Sequence, residues 1–470
     1  MLNNKYIIFI QIIIIIILIY ITIRMKSKNK HLSNNKSIEN YNYGKNIKYG
    51  KLQNGLKYVL NNTKCGDSIT IMLFIRVGSR DESPKLNGIS HVLEHMMFQG
   101  TPSYPESQLL HEAIDQYGAT FNAYTSLDVT CYYITIIPKY TDKALKILSD
   151  IYYNSLVLTK NLEKEKEVVI NEINKNRSNN KRIVEEHIIK MIMKDTNMSK
   201  PIAGSIENVK SFTRNNLMMF LNHYYNPHKV LLSIGGQYNN QTKLLNMMNK
   251  CFNIKHNYPS ENKIINYKRE LYPKLYNTRM KYEIKYFKED IETSYLTVGF
   301  PAFKLNSKNS IILDLIGTIL AGYMSSRLYK KLRNDLSIIY SISNNIDNLE
   351  DCGYYYLMCG TNDIPKCIEV ILEELNNLKN NFVSDNELTR AKKYINGNSK
   401  LSMNNSRTLA THYGIHYLYF GKIITIESLL QTINNIDKYD IKRVANMLFT
   451  HDKLKICYMG KHKYKIKKIL

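Results

Sequence analysis

The chain has 470 residues, 44% hydrophobic and 22% charged, which excludes a disordered protein and is too long for one ordinary domain. Its 65 Lys and Arg outnumber 40 Asp and Glu, for a net charge of +25. One reading of that excess is Lys bias spread over the surface; the other is attraction to an acidic partner such as nucleic acid or anionic lipid headgroups. No zinc knuckle, aromatic-basic motif or basic helix pattern supports a nucleic-acid partner. Seven scattered cysteines without a CxxC exclude a disulfide framework and a thiolate metal site, and fit reduced thiols.

In chain order, Tyr6–Ile23 (YIIFIQIIIIIILIYITI) is an apolar run broken only by Gln11 and Thr22. At about 1.5 Å per residue it just spans a hydrocarbon core. Arg24, Lys26, Lys28 and Lys30 follow it, and no small-residue cleavage site is visible. The expectation is a retained N-terminal transmembrane helix, single-pass, with the bulk of the chain facing the cytosol. The alternative is a cleaved signal and a secreted or organellar product. Residues 1–30 are then the membrane anchor with its basic flank, and 31–44 a polar linker.

Next come LKYVLNN and SITIMLFIRVGS, which predict strands, a helix over Gly88–Phe98, the strand VTCYYITIIP, and helices over Lys143–Leu156 and Leu162–Asn176. A stretch with two prolines and little periodicity, NYPSENKIINYKRELYPKLYNT, reads as a linker. The order strand, short break, amphipathic helix, charged helix then recurs about 223 positions downstream, in GYYYLMCGTNDIPKCIEVILEELNNLKNNFVSDNELTRAKKY. Two copies of one unit predict an α+β fold. Its two homologous domains, 45–255 and 281–470 with a linker at 256–280, would each be a mostly antiparallel sheet with helices packed on it.

Within the first copy, GISHVLEHMMFQGT carries His91, Glu94 and His95. Residues 91 and 95 lie one helical turn apart, so both imidazoles leave the same face, with Glu94 beside them. That spacing fits two zinc ligands and a general base, the HExxH order reversed. Zinc needs at least one more protein ligand and an open position; a carboxylate from another helix is the natural source. The second copy has SIILDLIGTILAG at the corresponding place, which packs but offers no ligand. Downstream, NLEKEKEVVINEINKN puts Glu165 and Glu172 two turns apart on one face. Read alone, this is equally a solvated charged helix.

HxxEH, followed after 76 intervening residues by the glutamate of EKEVVINE, resembles the pitrilysin/insulinase family of inverted-motif zinc peptidases, and most of all the processing-peptidase branch. FNAYTSLDVTCYY, PIAGSIENVKSF and GYMSSRLYKKLRNDLSIIYSIS extend the resemblance from about residue 45 to the end. It implies one Zn2+ per chain on His91, His95 and Glu172, Glu94 as the base, and Glu165 supporting the ligand shell and catalysis. It also implies that Asn122 and Ala123 lie on an edge strand receiving substrate, and that Arg333 and Tyr340 bind substrate carbonyls. The implied activity is hydrolysis of extended peptides or unfolded protein in a chamber of four such units, hence a homodimer or a heterodimer with a related subunit. The alternative is a catalytically inactive relative, a membrane-tethered assembly subunit.

Overall fold

Apolar alternation and turn residues build two sheets. The first has six strands, β1 (Ile47–Lys51), β2 (Lys57–Asn62), β3 (Ile69–Ile75), β4 (Thr120–Thr125), β5 (Thr130–Ile136) and β6 (Val230–Gly236), in the order β1-β2-β6-β3-β5-β4. The second has five, β7 (Glu283–Lys288), β8 (Ser294–Ala302), β9 (Ile339–Asn348), β10 (Gly353–Thr361) and β11 (Lys455–Gly460), in the order β7-β11-β8-β10-β9. Only β2/β6 and β7/β11 pair in parallel; every other pairing is antiparallel. Leaving out β1, the two sheets have one topology, as the internal repeat requires. The structure, a computed structural model, describes residues 47–63, 66–253, 269–272 and 280–466. The anchor expected over 6–23 and the linker over 31–44 lie outside the described residues. Among those described, no helix is long and apolar enough to cross a membrane.

Every residue of β3 is buried, although the strand presents two faces. Ile69, Ile71, Leu73 and Ile75 enter the first core with Val92, Leu93 and Met96 of helix Ile89–Met96. Each such side chain contributes about 1.5–3 kcal/mol by leaving water. The alternate face, with Thr70, Met72 and Phe74, is covered by a helix from the other half of the chain, Ser406–Phe420. Thr70 Oγ1 and Ser406 Oγ are 2.8 Å apart, Ser233 Oγ donates to the Ala410 carbonyl at 2.7 Å, and Thr411 Oγ1 lies 3.3 Å from Met72 Sδ. Close approach explains Gly414, where an added Cβ would stand 2.5 Å from the Phe74 ring.

The exchange is reciprocal. Helix Asn180–Ile192 leaves the first half and packs Val184, Ile188, Met191 and Ile192 against Tyr354, Tyr356, Met358, Cys457 and Met459 of the second sheet. Gly299 makes room for it, since a Cβ there would meet Ile192 Cδ1 at 2.8 Å. Each layered sandwich therefore draws helices from both halves, and residues 46–470 form one compact unit. These two helices follow equivalent elements in the repeat, so the exchange obeys the same pseudo-symmetry.

Charge also joins the halves. Part of the expected linker, 269–272, is described, and it is anchored. Arg269 holds both carboxylate oxygens of Asp81 at 2.8 and 2.6 Å and donates to Glu350 Oε2 at 3.0 Å. Arg80, 3% exposed, donates to Asp128 at 2.8 Å, to Asp351 at 2.7 and 3.1 Å, and to the Glu270 carbonyl at 2.7 Å. Asp81 and Asp128 belong to the first half, Glu350 and Asp351 to the turn between β9 and β10. Removing one partner from such a buried network leaves uncompensated charge. Arg80→Ala should therefore lower the unfolding free energy by about 3–5 kcal/mol, measured by urea titration; a loss within experimental error would show the network to be energetically idle.

Candidate metal centre

Helix Ile89–Met96 starts at Gly88, whose φ of +103° no side-chain-bearing residue adopts readily. A Cβ at Gly88 would lie 2.7 Å from the Ala203 carbonyl oxygen, and one at Gly204 2.3 Å from that of Asn87. The segment around PIAGSIENVKSF thus packs back onto the start of this helix, and Asn208 Nδ2 donates to the Asn87 carbonyl at 3.1 Å. The open N–H groups of the first turn are met by a buried carboxylate from outside the helix. Glu82 accepts from Gly88 N at 2.7 Å and Asn87 Nδ2 at 3.0 Å through Oε2, and from Ser90 N at 2.8 Å through Oε1. Burial pushes the Glu82 carboxyl up to about 7, against the pull of these hydrogen bonds.

The far side of that helix carries His91, Glu94 and His95, and packs on helix Thr159–Arg177, which carries Glu165 and Glu172. Glu172 Oε2 lies 3.6 Å from His91 Nε2 and 3.8 Å from His95 Nε2. One ligand atom from each of the three residues falls within 4.8 Å of the others. On a tetrahedron with zinc bonds of about 2.0–2.2 Å, ligand atoms stand about 3.3–3.6 Å apart, so modest closure makes this set fit zinc.

Hydrogen bonding and charge prepare the ligands. His95 Nδ1 is 3.1 Å from Glu165 Oε2, and Gln99 Nε2 donates to Glu165 Oε1 at 2.8 Å. A proton on Nδ1 shared with Glu165 leaves the Nε2 lone pair facing Glu172. Burial works against charging His95, but the Glu165 hydrogen bond and the charges of Glu94, Glu165 and Glu172 outweigh it and raise its pKa. His91 goes the other way, down to about 4, through burial and then the neighbouring His95, with a smaller push from Arg182. It is neutral at physiological pH, as a ligand must be.

Glu94 is 9% exposed and accepts from Thr125 Oγ1 at 2.6 Å, at the end of β4. Burial raises its pKa, and the Thr125 hydrogen bond moderates the rise. A carboxyl raised above its ordinary range and held in aim suits proton exchange better than a free one.

Asn122 and Ala123 lie on β4, which pairs only with β5 and is the last strand of its sheet. Arg333 and Tyr340 come together elsewhere, at the edge of the second sheet. The Arg333 guanidinium stands 4.9 Å from the centre of the Tyr340 ring and donates to the Ile339 carbonyl at 3.1 Å. Neither contact reaches the His helix. Arg333 sits in a short π-helix, Tyr329–Asp335, and Tyr340 is 80% exposed on β9. Four residues that act here were missed in the sequence: Glu82, Gln99, Thr125 and Arg182. Gln99, eight residues after His91, was within reach of a face argument. Glu82 lies only six residues before Gly88 but in a turn with no capping pattern for the His helix, and Thr125 and Arg182 come from other segments and gave no signal.

Two sheets of one topology, with three ligand-type side chains gathered against the first, define a duplicated α/β architecture with one candidate metal centre among the described residues. Residues 57–206 match the family described as insulinase (peptidase family M16), and residues 211–395 match the peptidase M16 inactive domain. An uncharacterized zinc protease of Bacillus subtilis, YmxG, is 30% identical over 408 residues, 86% of this chain and 96% of that protein. The mitochondrial-processing peptidase subunit beta of Caenorhabditis elegans is 27% identical over 424 residues, 88% and 89% of the two chains. In fold, a protease from Helicobacter pylori superposes with a TM-score of 0.80 at 19% identity, covering 88% of this chain and 99% of the other. The chain belongs to the insulinase (M16) peptidase family.

Two substitutions test how the site is held. Glu165→Gln should weaken zinc binding by about 10–100-fold, measured by competition with a chromogenic chelator; unchanged affinity would remove Glu165 from the support of His95. Glu82 titrates at about 7 in the folded chain against 4.5 unfolded. Its raised pKa favours the protonated form, so its effect is harmless below pH 4.5 and costs stability progressively as pH rises through 7. The cost reaches about 3 kcal/mol. Urea midpoints should fall between pH 5 and pH 8, and Glu82→Gln should flatten that slope while lowering stability at every pH.

Proposed function

We propose that the chain is a zinc-dependent metalloendopeptidase that hydrolyses extended peptides, with Zn2+, one per chain, held by His91, His95 and Glu172. The observation that carries this reading is the meeting of the two Nε2 atoms with the Glu172 carboxylate, beside the buried Glu94. The zinc-protease names of its relatives support it.

When bound, zinc would supply Lewis acidity that brings a water's pKa down towards ~7. The chain's own residues do the rest. Glu94 takes a proton from the attacking water and passes it to the leaving amine; its raised pKa and its hydrogen bond from Thr125 keep it ready to exchange and fixed in aim. Glu165 holds the His95 ring through Nδ1. A substrate strand adds to the open edge of β4 by main-chain hydrogen bonds at Asn122 and Ala123, directed past Glu94 because Thr125 ends that strand.

Dimerisation with a second copy or a related subunit, and tethering to a cytosol-facing membrane surface through residues 6–23, belong to the same proposal. A second reading, a non-catalytic assembly subunit, draws on the inactive-domain match over 211–395. One experiment separates the two. Purified chain should contain one zinc, cleave a quenched peptide, lose activity with chelator and regain it with zinc. Glu94→Gln should keep the metal and lose about 10²–10⁴-fold in kcat. Wild-type protein that holds zinc and cuts no peptide would favour the assembly subunit.

A further inference from the structure

A cleft of about 480 Å3 opens between β9, the end of β10 and the first turn of the exchanged helix Asn180–Ile192. Among the described residues its charged lining residues are Lys181 and Arg333, Thr293, Ser341, Ser343 and Thr361 add hydroxyls, and no acidic residue lines it. Among the described residues Lys181 has no hydrogen-bond or ion-pair partner, and Arg333 touches only a ring and a carbonyl. Lys181 is exposed and Arg333 half-buried, whereas the more enclosed cations of the molecule are paired. Arg80, Arg269 and Arg327 are each matched by two or more carboxylates. Two cations converging on one hydroxyl-lined cleft without a counter-charge make a receptor for an anion of peptide size.

The cleft is tied to the candidate metal centre through the chain. Lys181 is followed by Arg182, whose charge acts on His91, and both stand four to five residues beyond the end of the helix that carries Glu172.

We propose that this cleft is a carboxylate subsite of the peptide site, with Lys181 as its specificity residue, so that the preferred substrates carry an acidic side chain or a free C-terminal carboxylate close to the scissile bond. The proposal rests on the peptidase reading above and names its substrate class. It also gives the exchanged helix a role beyond packing. The helix brings a cation from the first half into a cleft walled by the second, which only the correctly docked halves can form.

The test uses the zinc-loaded full chain and one quenched peptide sequence in four versions: neutral and amidated, with an internal Glu, with an internal Lys, and with a free C-terminus. In wild type, kcat/KM should favour an anionic version over the neutral one by about tenfold, carried mainly by KM. Lys181→Glu, a change on an exposed helix turn, should abolish that ratio and turn it towards the Lys peptide. Preference for the internal Glu alone identifies a side-chain subsite, and for the free terminus alone a terminal-carboxylate subsite. Equal rates for all versions in wild type, or a preference that Lys181→Glu does not move, overturn the proposal. Binding of the labelled Glu peptide, followed by anisotropy in chelator, separates this claim from the peptidase reading. Lys181-dependent binding without any cleavage keeps the cleft and removes the peptidase. Cleavage indifferent to charge does the reverse.

Discussion

The docking of two helices carries the rest of the molecule. One offers His91 and His95 from adjacent turns; the other offers Glu172 two turns beyond Glu165. Neither can form the cluster alone, and a rotation of either by one residue would swing its ligands about 100° away. The His helix is only eight residues long, shorter than a helix that stands by itself in water. Its register is therefore imposed from outside. The Glu82 carboxylate meets its first N–H groups, the Gly88–Gly204 contact fixes its entry, and Val92, Leu93 and Met96 sink into the first core.

The same logic operates at the scale of the two sheets. A sheet buried on both faces needs a second helical layer, and each half lacks one of its own. The exchange of Asn180–Ile192 for Ser406–Phe420 supplies both layers at once. It makes the cores mutually dependent, and the Arg80 and Arg269 networks fix the angle at which they meet. The helix holding Glu172 leads within three residues into the exchanged one, so the position of the candidate metal ligands is tied along the chain to the seating of the second half. Among the described residues the edge strands β4 and β9 pair on one side only, one beside Glu94 and one beside the basic cleft.

Much of this was legible in the residues. HxxEH fixes three side chains by helical geometry alone, since spacing of one turn does not depend on the surroundings. The strands β2, β3, β5 and β10 and the duplicated pattern were likewise written in local periodicity, which survives wherever a face is buried. Glu165 was readable as sharing a face with Glu172, but its hydrogen bond to His95 was not, because sequence gives no distance between helices. Arg269 read as part of an uneventful linker, whereas it closes a buried ion network: composition reports polarity and cannot report which carboxylates lie opposite.

The sequence by itself determined the identity and spacing of the ligand-type residues, the duplication, and the confinement of HxxEH to one copy, because these are properties of order along the chain. Tertiary structure alone decided that Glu172 faces both imidazoles, that Glu82 and Thr125 hold the helix and its glutamate, and that each half wears a helix of the other. Those include encounters between segments up to 339 residues apart, set by how two sheets bury their second faces, and nothing in a local pattern encodes them.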